Sequence, residues 1–203
     1  MEEAAGVRRR PVAFAVAAMM AMSMAADVWA GPPADQIRAQ IDRVVRVLAD
    51  PALKAAGRER ERQAAVRKIA EEIFDVGEMT RRTLGQHWQG RTESERMEMI
   101  SLFSDLLERA YFTKIANYNG EKITVLKDSV EGNQATVRTR IVTPQGTEIP
   151  VDYRMLRRGD RWVAYDVVIE GVSLVANYRA QFNKVIQTSS YQALVEKLRA
   201  KAS

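Results

Sequence analysis

DRWVAYDVVIEGVSLVANYRAQF, residues 160–182, reads first as a strand, breaks at Gly171 and resumes as a helix. In the strand half Val163, Tyr165, Val167 and Ile169 are apolar at alternate positions, which on a period of two puts four in a row on one face. In the helix half Ser173 is placed to cap, and Leu174, Tyr178, Phe182 and Val185 follow at helical spacing. Such a strand face either fills a packed core or lines a ligand cavity. What the rest of the chain brings to it decides which.

Upstream of this stretch the hydrophobic period changes from 3.6 to 2 at Gly120. KITVLK, QATVRTRIV, EIPVDYRMLRR and RWVAYDVVIE read as four strands, separated by the turn-forming links EGN, TPQGT and RGD. Links this short imply antiparallel neighbours and hence a meander. Val137 and Ile141 share a face of the second strand, and Ile149, Val151, Tyr153 and Met155 share one of the third. Opposite them stand Arg138, Arg140, Asp152, Arg154 and Asp166, so one side of the sheet is expected to be wet.

Helices precede and follow the sheet. Asp35 opens one with Ile37, Ile41, Val44 and Leu48 on a single face, and ADPAL interrupts it at Pro51. GRERERQAAVRKIAEEIF continues with Val66, Ile69 and Ile73 on one stripe, and DVGEMTRRTLGQHW gives short helical turns ended by Gly85, with Met79, Leu84 and Trp88 inward. Thr92 and Glu95 have capping-box spacing before a long helix in which Ile100, Phe103, Leu107, Tyr111 and Ile115 keep the helical period. YQALVEKLRA closes the chain as a further helix. The expected fold is α+β: a twisted four-stranded antiparallel meander with helices packed on its apolar face.

The first thirty residues stand apart. MEEAAGVRRRP is followed by VAFAVAAMMAMSMAA, an uncharged run of fifteen, and then by DVWA, with Val28 and Ala30 at the small positions of a cleavage site. That pattern predicts a secretory signal peptide over 1–30, cut after Ala30, and a single domain over 31–203. The run falls short of the roughly 20 residues that cross a bilayer. With no cysteine in the chain, disulfides, thiolate metal sites and a lipidated N-terminal cysteine are excluded. The net charge of +5 favours an anionic partner, either a phosphate-bearing lipid surface or an acidic protein face. Nucleic acid is a poor candidate, because no RNP, zinc-knuckle or helix-turn-helix pattern is present.

Catalysis finds no residues to work with. His87 is the only histidine and has no second one to complete a metal site or a triad. Asp166 and Glu170 lie about 13 Å apart along one strand, too far for either hydrolytic geometry. Ser173 sits in GVSLV, which is not a nucleophile elbow, and capping accounts for its hydroxyl. Neither a metal nor a cofactor is expected.

LGQHW, then LFSDLLERAYFTKI on a Thr-capped helix, then four strands, then YDVVIEGVSLVANYRAQFNKVI together resemble the MlaC family of periplasmic phospholipid-binding proteins, also called the toluene-tolerance family. The likeness spans about residues 35–200. It departs at TSSYQAL, where many members carry a glycine, and at RMEMISLF, which lacks a common aromatic.

The resemblance implies a periplasmic carrier that shuttles phospholipid between inner and outer membrane. Its implied partners are an inner-membrane ABC transporter with a lipid-binding ring subunit and an outer-membrane lipoprotein complex. Some relatives accompany hopanoid gene sets, so a polycyclic lipid is an alternative cargo. The implied lining is an apolar cavity between sheet and helices, formed by Phe103, Leu107, Tyr111, Val137, Ile141, Val151, Tyr153, Tyr165, Val167, Ile169, Leu174, Tyr178 and Phe182. At about 0.8 kcal/mol per methylene, two chains of about fifteen carbons would forfeit roughly 24 kcal/mol by crossing water bare, so a carrier needs only burial and no covalent chemistry. Read without the resemblance, the residues also fit a non-catalytic periplasmic adaptor whose basic face binds an acidic protein.

Overall fold

The computed structural model describes residues 32–202. The expected signal peptide therefore lies outside the described residues. Helices α1 (Pro32–Ala49), α2 (Pro51–Lys54), α3 (Glu59–Ile73), α4 (Val76–Leu84) and α5 (Glu93–Ala116) precede strands β1 (Lys122–Glu131), β2 (Gln134–Val142), β3 (Glu148–Arg158), β4 (Arg161–Ile169) and β5 (Val172–Ser173), and α6 (Leu174–Thr188) and α7 (Tyr191–Ala202) follow.

Local chemistry sets the boundaries. Pro51 begins a short helix instead of merely breaking one, because the Asp50 carboxylate accepts from Ala52 N at 2.8 Å and caps the turn. Thr92 and Glu95 satisfy each other's backbone amides at 3.3 and 2.8 Å, so the expected capping box opens α5. Asp75 caps α4 through Glu78 N at 2.9 Å, and α4 ends at Gly85, whose φ of +54° suits a residue without Cβ.

The sheet has five strands in the order β1-β2-β3-β4-β5, not four. β5 arises because Glu170 and Gly171 both adopt positive φ (50° and 82°) and turn the chain so that Val168 pairs with Ser173 and Ile169 with Val172. The sequence shows a glycine there, but Glu at the first turn position hides a hairpin usually marked by Asn or Asp.

Two bulges alter the expected faces. One falls between Val125 and Lys127, and the other separates Arg154, paired with Asp166, from Met155, paired with Ala164. Tyr165 is the extra residue of the second bulge. The face of β4 that carries Val167 and Ile169 therefore continues through Ala164 and Trp162, while Val163 pairs with Leu156 on the opposite side. The expected alternation of Val163 and Tyr165 with Val167 and Ile169 fails at this bulge.

Two apolar clusters result. In the first, Ile37 of α1 and Ile69 and Ile73 of α3 pack on Ala135, Val137, Met155, Trp162 and Ala164 of the sheet. The second is wholly helical and gathers Met79, Leu84, Met99, Phe103, Leu174, Val175, Phe182, Leu194 and Leu198. Helices are not confined to one face, as the sequence led us to expect. After α3 the chain makes a single parallel bridge from Phe74 to Ala164, and Asp75 N donates to Ala164 O at 2.9 Å, carrying α4 past the edge of β4. There α6 is tied to the other side of β4 by Asp166, which accepts from Val175 N at 3.0 Å and from Ser173 Oγ at 2.7 Å.

Candidate functional site

Register places the inner side chains of the sheet in rows. Val137, Tyr153 and Val167 form one row, Val125, Thr139, Val151 and Ile169 the next, and Ile123, Ile141 and Ile149 the last before the β2–β3 turn. The helices α1 and α3 close over the row of Val137 and those beyond it toward Met155 and Trp162. Ile123, Ile141, Ile149, Val151, Val167 and Ile169 belong to neither packed cluster. Val151 is buried and the other five are half-buried. They form a contiguous apolar strip at one end of the inner face.

The polar group in the strip is neutralised. Thr139 is fully buried and donates its hydroxyl to Val151 O at 2.7 Å, which satisfies the oxygen inside its own sheet. Tyr153 borders the strip, and although part of the residue keeps contact with solvent, burial pushes its hydroxyl pKa up to about 12. No charged side chain occupies the inner positions of those last two rows, so this end of the sheet offers only dispersion and exclusion of water.

The thirteen residues expected to line a cavity are not brought together as one set. Phe103, Leu107, Tyr111, Leu174, Tyr178 and Phe182 belong to, or pack against, the helical cluster. Phe103 is fully buried and meets Tyr178 and Phe182 edge-on, with ring centroids 5.2 and 5.6 Å away. Tyr111 and Tyr178 share a hydroxyl hydrogen bond, and burial raises both phenols above their usual pKa. Val137 and Tyr153 pack with α1 and α3. Ile141, Val151, Val167 and Ile169 lie in the strip. Tyr165, displaced by the bulge, has the Arg82 guanidinium over its ring at 3.9 Å.

Sequence reading missed Ile123 and the buried hydroxyl of Thr139, and did not carry Ile149 forward as a site residue. Cross-strand register, not alternation within one strand, joins them to the strip. Two clefts open elsewhere. One lies among Gln36, Gln40, Glu72, Arg161 and Trp162, and one among Gln63, Asp105, Glu108 and Arg109. None of the thirteen residues lines either.

The polar side chains weighed as catalytic groups make local contacts. Ser173 accepts from Ala176 N at 3.0 Å as the cap of α6, and His87 Nε2 contacts Asn183 Oδ1 at 2.9 Å. Glu78 is buried between Arg81 and Arg82, each 2.7 Å from its carboxylate, and the bond from Arg81 foremost holds its pKa below the usual range. The Glu72 carboxylate is likewise lowered, chiefly by its bond from Arg43. Among the described residues no helix is long and apolar enough to cross a membrane.

The family model described as MlaC protein matches residues 38–200. The intermembrane phospholipid transport system binding protein MlaC of Haemophilus influenzae is 24% identical over 127 residues, which are 60% of this chain and 59% of that protein. The toluene tolerance protein ttg2D of Pseudomonas putida is 22% identical over 125 residues, 61% of this chain and 58% of that one. The chain thus aligns with under two thirds of the length of these curated relatives. In fold it is similar to a phospholipid-binding protein from Ralstonia solanacearum solved in complex with a phospholipid. That likeness has a TM-score of 0.73 and 22% identity, and covers 85% of this chain and 97% of that one.

Proposed function

Because the chain belongs to the MlaC family, we propose that it is a periplasmic carrier whose inner sheet strip and long helix α5 hold the acyl chains of a phospholipid. The observation that carries this reading is the strip itself. Six apolar residues from four strands lie on the same inner face as the packed cluster yet outside it, and five of them, all but the buried Val151, stay partly exposed at a cost in hydration. Ligand chains laid along it remove that cost, at about 25 cal/mol for each Å² of apolar surface covered.

In this reading Ile141, Val151, Val167 and Ile169 form the floor, and Leu107 and Tyr111 on α5 form the opposing wall. Phe103, Phe182 and Leu174 support that wall from behind. Residues 1–30 direct export and are removed after Ala30. Loading and unloading take place at an inner-membrane ABC transporter with a lipid-binding ring subunit and at an outer-membrane lipoprotein complex.

Organic extraction of protein purified from its exported form, followed by mass spectrometry, is expected to yield phospholipid near one equivalent. The lipid should persist through washing in high salt, since burial and not headgroup charge supplies the free energy. Extracts at background, together with no uptake from phospholipid vesicles, would overturn the carrier reading. A polycyclic lipid in the extract would replace the cargo and leave the strip as its site.

A further inference from the structure

The opposite face of the sheet carries a different pattern. Lys127 of β1 stands directly across from Arg138 of β2, so two like charges share a cross-strand pair at about 5 Å between Cα atoms. Such pairs destabilise a sheet unless something else compensates them. Lys122 lies two outward positions before Lys127 on β1, and Arg140 follows Arg138 on β2. Thr124 stands between Lys122 and Lys127, and Ser129 with its partner Thr136 follows the Lys127–Arg138 pair, all of them short. Lys122, Lys127, Arg138 and Arg154 are exposed.

Acids on this face leave part of that charge unmatched. Glu148 pairs with Arg140 at 3.1 Å, Asp152 is 3.9 Å from Arg138, Asp166 is buried beneath Arg154, and Glu131 stands at the far end of β1. Among the described residues Lys122 and Lys127 have no ion pair. Leu126, thrown out by the bulge next to Lys127, is 46% exposed.

We propose that this outer face of β1 and β2 is a docking surface for an anionic phospholipid bilayer, set back to back with the strip that holds the cargo. The identification of the occupant rests on the carrier reading above. The charge arrangement itself favours a lipid surface over an acidic protein. It is spread across two neighbouring strands with short hydroxyl residues beside the bases, and it lacks the buried aromatic centre on which protein partners anchor. A leucine at the edge, flanked by lysine, suits the headgroup boundary. Each basic side chain close to such a membrane strengthens binding about fivefold, and the effect fades over a Debye length of about 10 Å at 0.1 M salt.

The test is co-flotation of the exported chain with vesicles of phosphatidylcholine containing 30% phosphatidylglycerol, beside vesicles of phosphatidylcholine alone. Binding to the anionic vesicles is expected at low salt and should be lost at high salt. Lys127→Glu with Arg138→Glu should weaken it at least tenfold while the lipid extracted from the variant equals that from wild type. Lys127→Gln with Arg138→Gln, which removes charge without reversing it, should give an intermediate loss, and unchanged thermal melts exclude misfolding as its cause. Equal binding to neutral vesicles, or variants that float like wild type, would overturn the proposal. So would retention of an acidic protein by this face when no vesicle binds. Lipid content is measured separately, so a carrier without docking and docking without cargo give different results.

Discussion

Phe103→Ala is expected to destabilise the lipid-free protein by about 3 to 5 kcal/mol, the usual cost of emptying a fully buried phenylalanine site. At roughly 2 to 4 °C per kcal/mol for a chain of this length, the melting temperature should fall by about 10 °C. The reason lies in the helical cluster. Phe103 is 0% exposed, and its ring meets Tyr178 and Phe182 edge-on, so deletion removes contacts from α5 and α6 at once. Lipid content should change little in the surviving folded fraction. If the lipid-free melt is unaltered and only uptake falls, Phe103 lines the cargo site and the wall of the carrier extends one turn further along α5.

Asp166→Ala should cost about 2 to 4 kcal/mol, read as a lower denaturant midpoint at unchanged slope. The carboxylate is 2% exposed and satisfies three donors: Val175 N, Ser173 Oγ and Arg154, at 3.0, 2.7 and 3.2 Å. Two of these belong to the start of α6, so one side chain on β4 positions the helix that carries Tyr178 and Phe182. Removing it leaves a buried amide and a half-buried hydroxyl without that acceptor. Asp166→Asn keeps one oxygen for Val175 N but loses the charge and the second acceptor, and should cost about half as much. A stability within about 0.5 kcal/mol of wild type for Asp166→Ala would show that the α6 start is held by Ser173 alone.

Asp166 also shows where sequence reading stops. Alternation assigned it correctly to the face opposite Val167, but the face was expected to be wet because its neighbours are arginines. Burial there depends on α6 returning over β4, which no local pattern encodes. The bulge at Tyr165 is of the same kind. Period-two reading has no means of inserting an extra residue, so Val163 and Tyr165 were assigned to the wrong company. The helices that were legible have local signals: Thr92 with Glu95, and Ser173, act on amides three residues away, whereas the Asp50 cap of α2 was read only as a break at Pro51. The strip was legible only in part. Ile141, Val151, Val167 and Ile169 are apolar at the right parity, but the division between strip and packed core follows from how far α1 and α3 extend across the sheet. A list of apolar residues could not separate Val137, under α1, from Val167, two strands along the same row.

That distinction is the central claim, and Val167→Trp measured beside Val137→Trp tests it. Both residues are valines on the inner face of the same row, joined through Tyr153. Thermal unfolding of the delipidated proteins is read together with phospholipid uptake from vesicles. Val137→Trp enlarges a fully buried side chain inside the packed cluster and should lower stability by about 1 to 3 kcal/mol or more. Val167→Trp should leave the delipidated melt close to wild type and abolish most uptake, because its ring occupies the space of the acyl chains. Equal destabilisation of the two variants, with uptake by Val167→Trp reduced only in proportion to the protein unfolded, would show that the strip is ordinary core and that the lipid lies elsewhere.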